Sequence, residues 1–398
     1  MRKEIDRRAM VTLSSGHLAV DFASGSVPAL LPFLAAEFDL SYTATAAMML
    51  SALVSSSLVQ PAFGLWSDRR GATWLLPAGV AVSAAGVGAA AIAPAYGLVL
   101  LAVFLAGIGV AAYHPEGAKF AAFASGPHRA SGMSYFNIGG NTGYALGPIV
   151  VTPLVVWLGL RGGTIAMLPV LVMALVLLRA LPDLRRIVPK STGHRHGTGE
   201  DDVRAMTLLS VVIGLRSVAW FGLLTFVPLW VVANGGTEGE GGRTLSLMLV
   251  SGAIGTLVLG PVADRVGLRR TLLVTQAAIP LLIVAFVAVG GVAGTAALML
   301  VGPCVVGTFG VTMVLSQLYL PRHVGVASGL SVGLAMGLGG VAAVVLGAVA
   351  DAVDLQTALY VAAVAPALGC IACLMLPRPA VAVPSPQAAP APAPAGIV

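Results

Sequence analysis

Residues 64–71 read Gly-Leu-Trp-Ser-Asp-Arg-Arg-Gly, and a related stretch, Gly-Pro-Val-Ala-Asp-Arg-Val-Gly, occupies residues 260–267. Both follow the pattern Gly-x-x-x-Asp-Arg-x-Gly, 196 residues apart. A second pair, Ala-Ser-Gly-Met-Ser at 130–134 and Ala-Ser-Gly-Leu-Ser at 327–331, is 197 residues apart. Because two motifs return at nearly the same spacing, the chain is predicted to consist of two related halves.

The composition of the 398 residues excludes a soluble globular protein. Hydrophobic residues make up 58% and charged residues 10%, whereas soluble domains average roughly 45–50% and 25%. The mean hydropathy is +0.95, and a chain with so few charges cannot cover a water-exposed surface. The apolar runs are continuous and do not alternate with polar residues, which favours membrane-spanning helices over a β-barrel.

A helix that crosses the hydrocarbon core needs about 20 mostly apolar residues. On this criterion we predict an all-α polytopic membrane protein with twelve transmembrane helices in two pseudo-symmetric six-helix halves. The predicted spans are residues 10–35, 43–65, 73–93, 96–120, 130–158, 163–181, 204–233, 244–263, 271–290, 294–320, 325–350 and 355–376.

The only long charged connector divides the spans six and six. We therefore expect residues 1–181 to form the N-terminal half and residues 204–376 the C-terminal half. Residues 182–203 are predicted to be a cytoplasmic connector. Residues 377–398 are predicted to be a disordered cytoplasmic tail, because they are rich in Pro and Ala.

The basic residues are distributed unequally between the two sides of the membrane. With the N-terminus inside, 19 of the 22 Lys and Arg residues lie on the cytoplasmic side. Arg161 and Arg243 lie on the other side, and Arg216 is inside a span. Since basic residues concentrate in cytoplasmic loops, both termini are predicted to be cytoplasmic. The net charge of +6 therefore reflects topology, and no nucleic-acid partner is expected.

Further motifs carry a resemblance to a known family. They are His17-x-x-x-Asp21, Val27-Pro-Ala-Leu-Leu-Pro32, Ser56-Ser-Leu-Val-Gln60-Pro61, His114-Pro-Glu-Gly-Ala-Lys119, Gly139-Gly-Asn141, Gly147-Pro148 and Leu215-Arg216-Ser217 followed by Phe221-Gly-Leu-Leu-Thr-Phe-Val-Pro228. The Asp-Arg loops resemble the signature loop of the major facilitator superfamily. Together with these motifs, the chain resembles the fosmidomycin-resistance branch of that superfamily.

The resemblance implies a transporter of the bacterial cytoplasmic membrane, not an enzyme. It implies proton-coupled efflux of a small drug-like compound, including anionic compounds of the fosmidomycin type, by alternating access. The proton gradient would supply the energy, without a cofactor or a metal. The lipid bilayer, the substrate and protons would be the partners of a monomer.

Many drug–proton antiporters of this superfamily carry an Arg in the middle of the fourth span, and residues 98–112 contain none. Other ionisable residues inside the spans must then carry the proton, and each costs roughly 2.5–3.5 kcal/mol to insert. We predict proton coupling at Asp21, His17, Glu116 and His114. His17 and Asp21 share a helix face because they are four residues apart. The alternatives are a structural His17–Asp21 pair and a structural Glu116–Lys119 pair.

Polar residues inside the spans are candidates for substrate binding. Arg216 lies 195 residues after Asp21, close to the repeat spacing, so the two charges are expected at similar depth in opposite halves. The guanidinium suits a phosphonate or carboxylate, and a static Asp21–Arg216 salt bridge is the alternative. We predict substrate binding at Arg216, Asn137, Asn141 and Gln60.

The two Asp-Arg loops are predicted to control gating and not to contact substrate. A carboxylate at a helix end can interact with the positive end of a neighbouring helix dipole, and glycines allow tight turns. A purely topological role is the alternative. The predicted gating residues are Gly64, Asp68, Arg69 and Gly71 in the first half and Gly260, Asp264, Arg265 and Gly267 in the second.

Two other functions fit the same sequence. One is an importer or symporter of an organic anion or a sugar-like nutrient, because the sequence does not fix direction. The other is a non-transporting membrane sensor or a membrane-embedded enzyme. His114-x-Glu116 with Cys370-x-x-Cys373 resembles a zinc deaminase signature. The two cysteines lie in the apolar last span, so no metal site is predicted.

Overall fold

A computed structural model describes residues 4–70, 72–126, 129–187 and 200–377. The helices in these ranges are α1 (Arg7–Glu37), α2 (Tyr42–Arg70), α3 (Leu75–Ala91), α4 (Tyr96–Ser125), α5 (Arg129–Leu158), α6 (Arg161–Ala166), α7 (Leu168–Arg185), α8 (Val203–Ala233), α9 (Glu238–Val266), α10 (Leu268–Val289), α11 (Gly291–Val306), α12 (Phe309–Tyr319), α13 (Val324–Ala352) and α14 (Leu355–Leu374). Eleven helical stretches of the described chain are long and apolar enough to cross a membrane, and α3 is a shorter apolar helix. The predicted all-α polytopic fold is confirmed.

Two of the predicted spans each contain two helices. The sixth span consists of α6 and α7, which are separated at Met167, and the tenth consists of α11 and α12, which are separated at Gly307 and Thr308. The Thr308 hydroxyl donates to the Cys304 carbonyl at 2.8 Å. This hydroxyl thereby satisfies a carbonyl at the end of α11, and the break places the N-terminus of α12 inside the span.

The helices α1–α7 form the N-terminal half, and α8–α14 form the C-terminal half. We call the side at which α1 begins and α14 ends the termini face, and the opposite side the far face. The predicted domain boundaries stay a prediction, although α7 continues to Arg185, past the predicted end at residue 181. Residues 188–199 of the predicted connector and residues 378–398 of the predicted tail lie outside the described ranges.

The C-terminal half is fastened at the termini face by two adjacent aspartates. The Asp202 N–H donates to the Tyr319 carbonyl at 2.7 Å. The Asp201 carboxylate accepts the Arg322 N–H at 3.0 Å and contacts His323 Nδ1 at 2.5 Å. Desolvation raises the pKa of Asp201. These hydrogen bonds and the neighbouring positive charges lower it by a larger amount, so the net shift of the pKa is downward. The segment before α8 is thereby tied to the turn between α12 and α13.

The two halves meet at the far face. The Asp351 carboxylate of α13 accepts the backbone N–H groups of Tyr42 at 2.7 Å and Thr43 at 2.9 Å, at the first turn of α2. Gly242 of α9 lies against Thr152 of α5 at the same level. Nearer the termini face, a Cβ atom would meet open space at Gly260, Gly333 or Gly337. The space between the halves is therefore closed at the far face and widens towards the termini face.

Glycines on α5 bring this helix into backbone contact with α1. Gly139 lies against Ser14, Gly143 against Leu18 and Gly147 against Gly25. Small residues permit such close packing between helices in a membrane. The consequence is that the α5 backbone reaches the side chains of α1.

Candidate functional site

A cavity of about 210 Å³ lies between the two halves. The polar side chains that line it include Asp21 and Ser24 of α1, His114 of α4, and Asn141 and Tyr144 of α5. From the C-terminal half the lining includes Trp220, Phe221, Phe309 and Met336. The charged and amide side chains of the lining thus come from the N-terminal half, whereas the C-terminal half contributes aromatic and aliphatic ones, an arrangement that suits a small amphipathic molecule.

Asp21 lies between two histidines near the middle of the N-terminal half. His17 Nε2 is 3.3 Å from Asp21 Oδ2, and His114 Nε2 is 3.3 Å from Asp21 Oδ1. The exposed fractions of the three side chains are 8% for His17, 17% for Asp21 and 21% for His114. We call these three residues the Asp21 cluster. The structure therefore brings together three of the four predicted proton-coupling residues.

The backbone fixes which ring nitrogen of each histidine faces Asp21. His17 Nδ1 lies 2.8 Å from the Phe136 carbonyl, and His114 Nδ1 lies 2.9 Å from the Val110 carbonyl. Because a carbonyl oxygen only accepts hydrogen bonds, each Nδ1 must carry a hydrogen. Each contact between Nε2 and Asp21 is then a hydrogen bond only when one of the two partners, the ring nitrogen or the carboxyl oxygen, carries an additional proton. With two, one or no such protons, the net charge of the cluster is +1, 0 or −1.

Aromatic rings enclose the cluster. The Phe136 ring stacks on His17 with centroids 4.1 Å apart, and the Tyr113 hydroxyl donates to the Leu13 carbonyl at 2.6 Å. Tyr113 is fully buried. Neither aromatic residue was singled out from the sequence, because an aromatic side chain in an apolar span gives no signal that separates it from ordinary packing.

Glu116 lies apart from the cavity lining of the described chain. Its side chain is 1% exposed, and its Oε2 is 3.0 Å from Lys119 Nζ. This geometry is the ion pair considered above as the structural alternative. The assignment of Glu116 to proton coupling stays a prediction.

Arg216 is buried, with 1% of its surface exposed. Its Nη1 donates to the Thr308 hydroxyl at 2.5 Å, and its Nη2 lies 3.4 Å from the Thr312 hydroxyl. The guanidinium carbon lies 4.8 Å from the centroid of the Phe309 ring. Since Phe309 lines the cavity and Arg216 does not, this ring forms the wall between the guanidinium and the cavity.

No carboxylate of the described residues forms an ion pair with Arg216. Asp21 contacts the two histidines instead, so the static Asp21–Arg216 salt bridge is absent from this conformation. The hydroxyl and aromatic partners of Arg216 were missed from the sequence. A signal was present in Thr308 and Thr312, which are four residues apart in a stretch without charges.

The other predicted substrate-binding residues occupy different environments. Asn141 lines the cavity, and its Nδ2 lies 3.4 Å from the Thr256 hydroxyl of the C-terminal half. Asn137 is exposed and Gln60 is partly buried, and neither belongs to the cavity lining. Only Asn141 of these three is therefore brought to the Asp21 cluster in this conformation.

The predicted gating loops lie at the termini face. Gly267 separates α9 from α10 with φ +98°, a conformation that favours glycine, and Asp264 and Arg265 are exposed. Gly64 packs towards Pro115, which would be 3.8 Å from a Cβ atom there, and Gly260 faces open space. The side chains of Asp68 and Arg69, and all of Gly71, lie outside what the structure describes. The gating role of these loops stays a prediction.

The sequence pattern that resembles a zinc deaminase is not assembled as a site. In the described chain, one group of three His, Cys, Asp or Glu side chains has polar atoms within 4.8 Å of one another, and it is the Asp21 cluster. Cys370 and Cys373 of α14 do not belong to it. The absence of a metal site stays a prediction.

Comparison with known proteins places this geometry in a family. Residues 13–343 match the Major Facilitator Superfamily (MFS). The chain is 30% identical over 377 residues to an uncharacterized MFS-type transporter, YfnC, of Bacillus subtilis (strain 168), with 92% of each chain covered. It is 27% identical over 381 residues to the fosmidomycin resistance protein of Escherichia coli (strain K12), with 90% of each chain covered. The resemblance seen in the sequence is confirmed.

Solved structures show the same fold. A bacterial homologue of the human lysosomal transporter Spinster, in an inward-facing and unoccupied conformation, superposes with a TM-score of 0.76 at 14% identity, covering 94% of this chain and 98% of the other. The nucleoside transporter NupG gives a TM-score of 0.73 at 12% identity, covering 92% and 99%. The matching family and relatives are transporters and not enzymes. The chain belongs to the Major Facilitator Superfamily of transporters.

Proposed function

We propose that this transporter exports small amphipathic anions from the cytoplasm in exchange for protons, by alternating access, in the cytoplasmic membrane of a bacterium. The observation that carries the proposal is the Asp21 cluster, in which one carboxylate contacts two imidazoles beside the cavity between the halves. Groups that change protonation near neutral pH are suited to carry a coupled proton.

Competition between protons and substrate at this cluster explains exchange. Without protons in the two contacts, the Asp21 oxygens and the Nε2 lone pairs of His17 and His114 are hydrogen-bond acceptors. A hydroxyl or N–H group of the substrate can occupy them, whereas protons that enter the contacts remove those acceptors. The site therefore holds either the substrate or the proton, as an antiporter requires.

The C-terminal half supports an anionic group on the substrate. The Arg216 guanidinium has hydroxyl partners but no carboxylate partner among the described residues, and a buried charge without a counter-charge is costly. An anion could supply that counter-charge if the Phe309 ring moves aside. The substrate class is therefore a small compound with a hydrogen-bond donor at one end and an anionic group at the other.

The orientation predicted from the sequence gives the cytoplasm access to the cavity in this conformation, as uptake by an exporter requires. The distribution of Lys and Arg favours a cytoplasmic termini face, and the cavity widens towards that face. This conformation is then the inward-facing state, ready to take up substrate from the cytoplasm. One charge that moves through 100 mV gives about 2.3 kcal/mol, which supports a gradient of roughly 40-fold at about 1.4 kcal/mol per tenfold.

Transport into inside-out vesicles tests this proposal. With an acidic lumen and the full-length protein, an exporter should accumulate fosmidomycin in the lumen as protons flow out, and an uncoupler should abolish the accumulation. The control is vesicles without the protein. Fosmidomycin is the first probe because it appears in the name of the E. coli relative.

The same assay distinguishes the rival importer. A symporter of organic anions would release a preloaded substrate from vesicles with an acidic lumen, together with protons, and would not accumulate it. That result would contradict export. A protein that moves no anion in either direction under any gradient would contradict transport of this substrate class.

A further inference from the structure

A groove of about 980 Å³ runs between the beginning of α1 and the end of α7 at the termini face. Four arginines line it: Arg7 and Arg8 from α1, Arg179 from α7, and Arg186 directly after the end of α7. The acidic residues in its lining are Glu4, Asp6 and Asp183. This groove lies in the N-terminal half and shares no lining residue with the transport cavity.

Two of the acidic side chains already have partners. Asp6 accepts the Ala9 N–H at 3.2 Å as the N-cap of α1. Asp183 lies 3.6 Å from Arg8 Nη2 and 3.2 Å from Arg186 Nη1. In the described ranges, neither Arg7 nor Arg179 has a carboxylate in salt-bridge contact. The groove therefore contains four arginines against three acidic residues, and two of its guanidinium groups form no salt bridge within the described ranges.

The groove continues into an apolar surface along α7. Val176 lines it, Val172 one turn earlier is 59% exposed, and the adjacent Leu175 is 53% exposed. The arginines lie near the ends of α1 and α7 at the termini face, and the aliphatic side chains of α7 lie farther from that face. A ligand with an anionic head and an apolar chain would contact both parts.

We propose that the arginine groove between α1 and α7 binds an anionic phospholipid, with the headgroup phosphate on Arg7 and Arg179. Guanidinium groups pair with phosphate oxygens in a two-pronged geometry, and basic pockets between transmembrane helices bind acidic lipid headgroups. Free phosphate would match the arginines but would leave the aliphatic surface of α7 unused. The phospholipid matches both.

Lipid retention by the purified full-length protein tests the site. The protein is delipidated in detergent, titrated with phosphatidylglycerol or with phosphatidylcholine of the same chains, and the bound lipid is counted by native mass spectrometry. The wild type should retain phosphatidylglycerol in preference to phosphatidylcholine. Arg7→Gln and Arg179→Gln should each weaken phosphatidylglycerol binding roughly fivefold, since a basic residue near an anionic lipid surface contributes about 1 kcal/mol.

Two further variants make the result specific. Arg185→Gln removes an exposed arginine of α7 that does not line the groove, and it should leave retention unchanged. Asp183→Asn releases Arg8 and Arg186 from their carboxylate and should strengthen retention. This opposite sign also keeps the proposal testable if an arginine variant folds poorly.

Three outcomes would overturn the proposal. The first is equal retention of the two lipids by the wild type. The second is a loss of retention in Arg185→Gln as large as that in Arg179→Gln. The third is displacement of phosphatidylglycerol by inorganic phosphate at an equal concentration and unchanged ionic strength, which would show that the apolar chains add nothing to binding and would identify a site for the free ion.

Discussion

Gly140 lies against His17 so closely that a methyl group in its place would overlap the imidazole ring. A Cβ atom at Gly140 would be 2.5 Å from both His17 Cε1 and His17 Nε2, and 2.7 Å from Asp21 Oδ2. Real Cβ atoms do not approach other heavy atoms so closely, so the ring or the carboxylate would have to move. Gly140 therefore sets the space in which the Asp21 cluster forms.

We predict that Gly140→Ala lowers proton-driven transport by about tenfold or more. Overpacking at a tight contact costs roughly 1–3 kcal/mol, and here the cost falls on the contact between His17 and Asp21. The measurement is the initial rate of fosmidomycin uptake into inside-out vesicles with an acidic lumen.

Gly337→Ala is the matched control for this variant. Gly337 occupies the position in α13 that the repeat relates to Gly140, but a Cβ atom there would have no neighbour within 4 Å. Its transport rate should stay within about twofold of the wild type. Equal losses in the two variants would show that glycine is needed for helix motion and not for the space around His17.

Asp21→Asn should separate substrate movement from proton movement. An asparagine side chain can still hydrogen-bond the two histidines, but it cannot hold a proton or a negative charge. We expect accumulation driven by the pH gradient to disappear, while exchange of labelled for unlabelled substrate without a gradient continues. Accumulation by Asp21→Asn at the wild-type level would remove Asp21 from the coupling mechanism.

Glu116→Gln tests whether the buried Glu116–Lys119 contact has a structural or a coupling role. The substitution leaves the Lys119 ammonium without this carboxylate, so we expect a lower thermal stability than in the wild type. The double variant Glu116→Gln, Lys119→Gln should recover the melting temperature but not the proton-driven transport. Full transport by a stable double variant would leave only the structural role.

Arg216→Ala should discriminate between anionic and neutral substrates. Hydrogen bonds to a charged group contribute about 1.5–3 kcal/mol, so the affinity for an anionic substrate should fall roughly 10- to 150-fold. The affinity for a neutral analogue of the same size should hardly change. Thr308 keeps its hydrogen bond to the Cys304 carbonyl, so no buried hydroxyl is left without an acceptor.

Arg216→Lys is the conservative comparison. It retains the charge but loses the planar fork, so its affinity for the anion should lie between those of the wild type and Arg216→Ala. Direct binding measurements, such as calorimetry with purified protein, check both variants. Equal losses for anionic and neutral substrates would mean that Arg216 has only a structural role, through its hydrogen bonds to Thr308 and Thr312.

Asp351→Asn should shift the balance between the two conformations of the transporter. The carboxylate joins the halves by accepting two backbone N–H groups of α2, and loss of a helix N-cap costs about 1 kcal/mol. The population open at the far face should rise about fivefold. Spin-label distances between the far-face ends of α5 and α9 measure this shift.

The control for Asp351→Asn is Asp354→Asn. Asp354 also accepts a backbone N–H, from Thr357 at 2.6 Å, but within the C-terminal half. Its pKa is lowered by hydrogen bonds from Thr357, so it is charged at neutral pH. The substitution should leave the distance distribution unchanged, and a shift as large as that of Asp351→Asn would contradict a specific role for the contact between halves.

The sequence predicted the helices and the repeat but only part of the site. His17 and Asp21 could be paired because four residues make one turn of a helix. His114 could be assigned to the fourth span, but its contact with Asp21 depends on how α4 packs against α1. The repeat spacing suggested that Asp21 faces Arg216. Pseudo-symmetry relates positions along two helices, however, and it does not fix which side chain lies closest across the cavity.

The interrupted tenth span was not predicted for a related reason. Residues 271–321 contain no charge, so hydropathy shows one long apolar stretch with a break only around Gly290. The break at Gly307 and Thr308 depends on local hydrogen bonds, in which the Thr308 hydroxyl takes the place of a backbone donor. A hydrogen bond from a hydroxyl instead of a backbone N–H has no effect on the hydropathy profile.

The contact that closes the far face constrains the residue types at positions 42 and 43 only weakly. Asp351 accepts the main-chain N–H groups of Tyr42 and Thr43, and nearly any residue except proline at those two positions can donate these two hydrogen bonds. We expect an analysis of correlated substitutions among relatives to miss these two backbone hydrogen bonds. A proline scan through the first turn of α2 would find them, because each proline removes one of the two N–H groups that the carboxylate accepts.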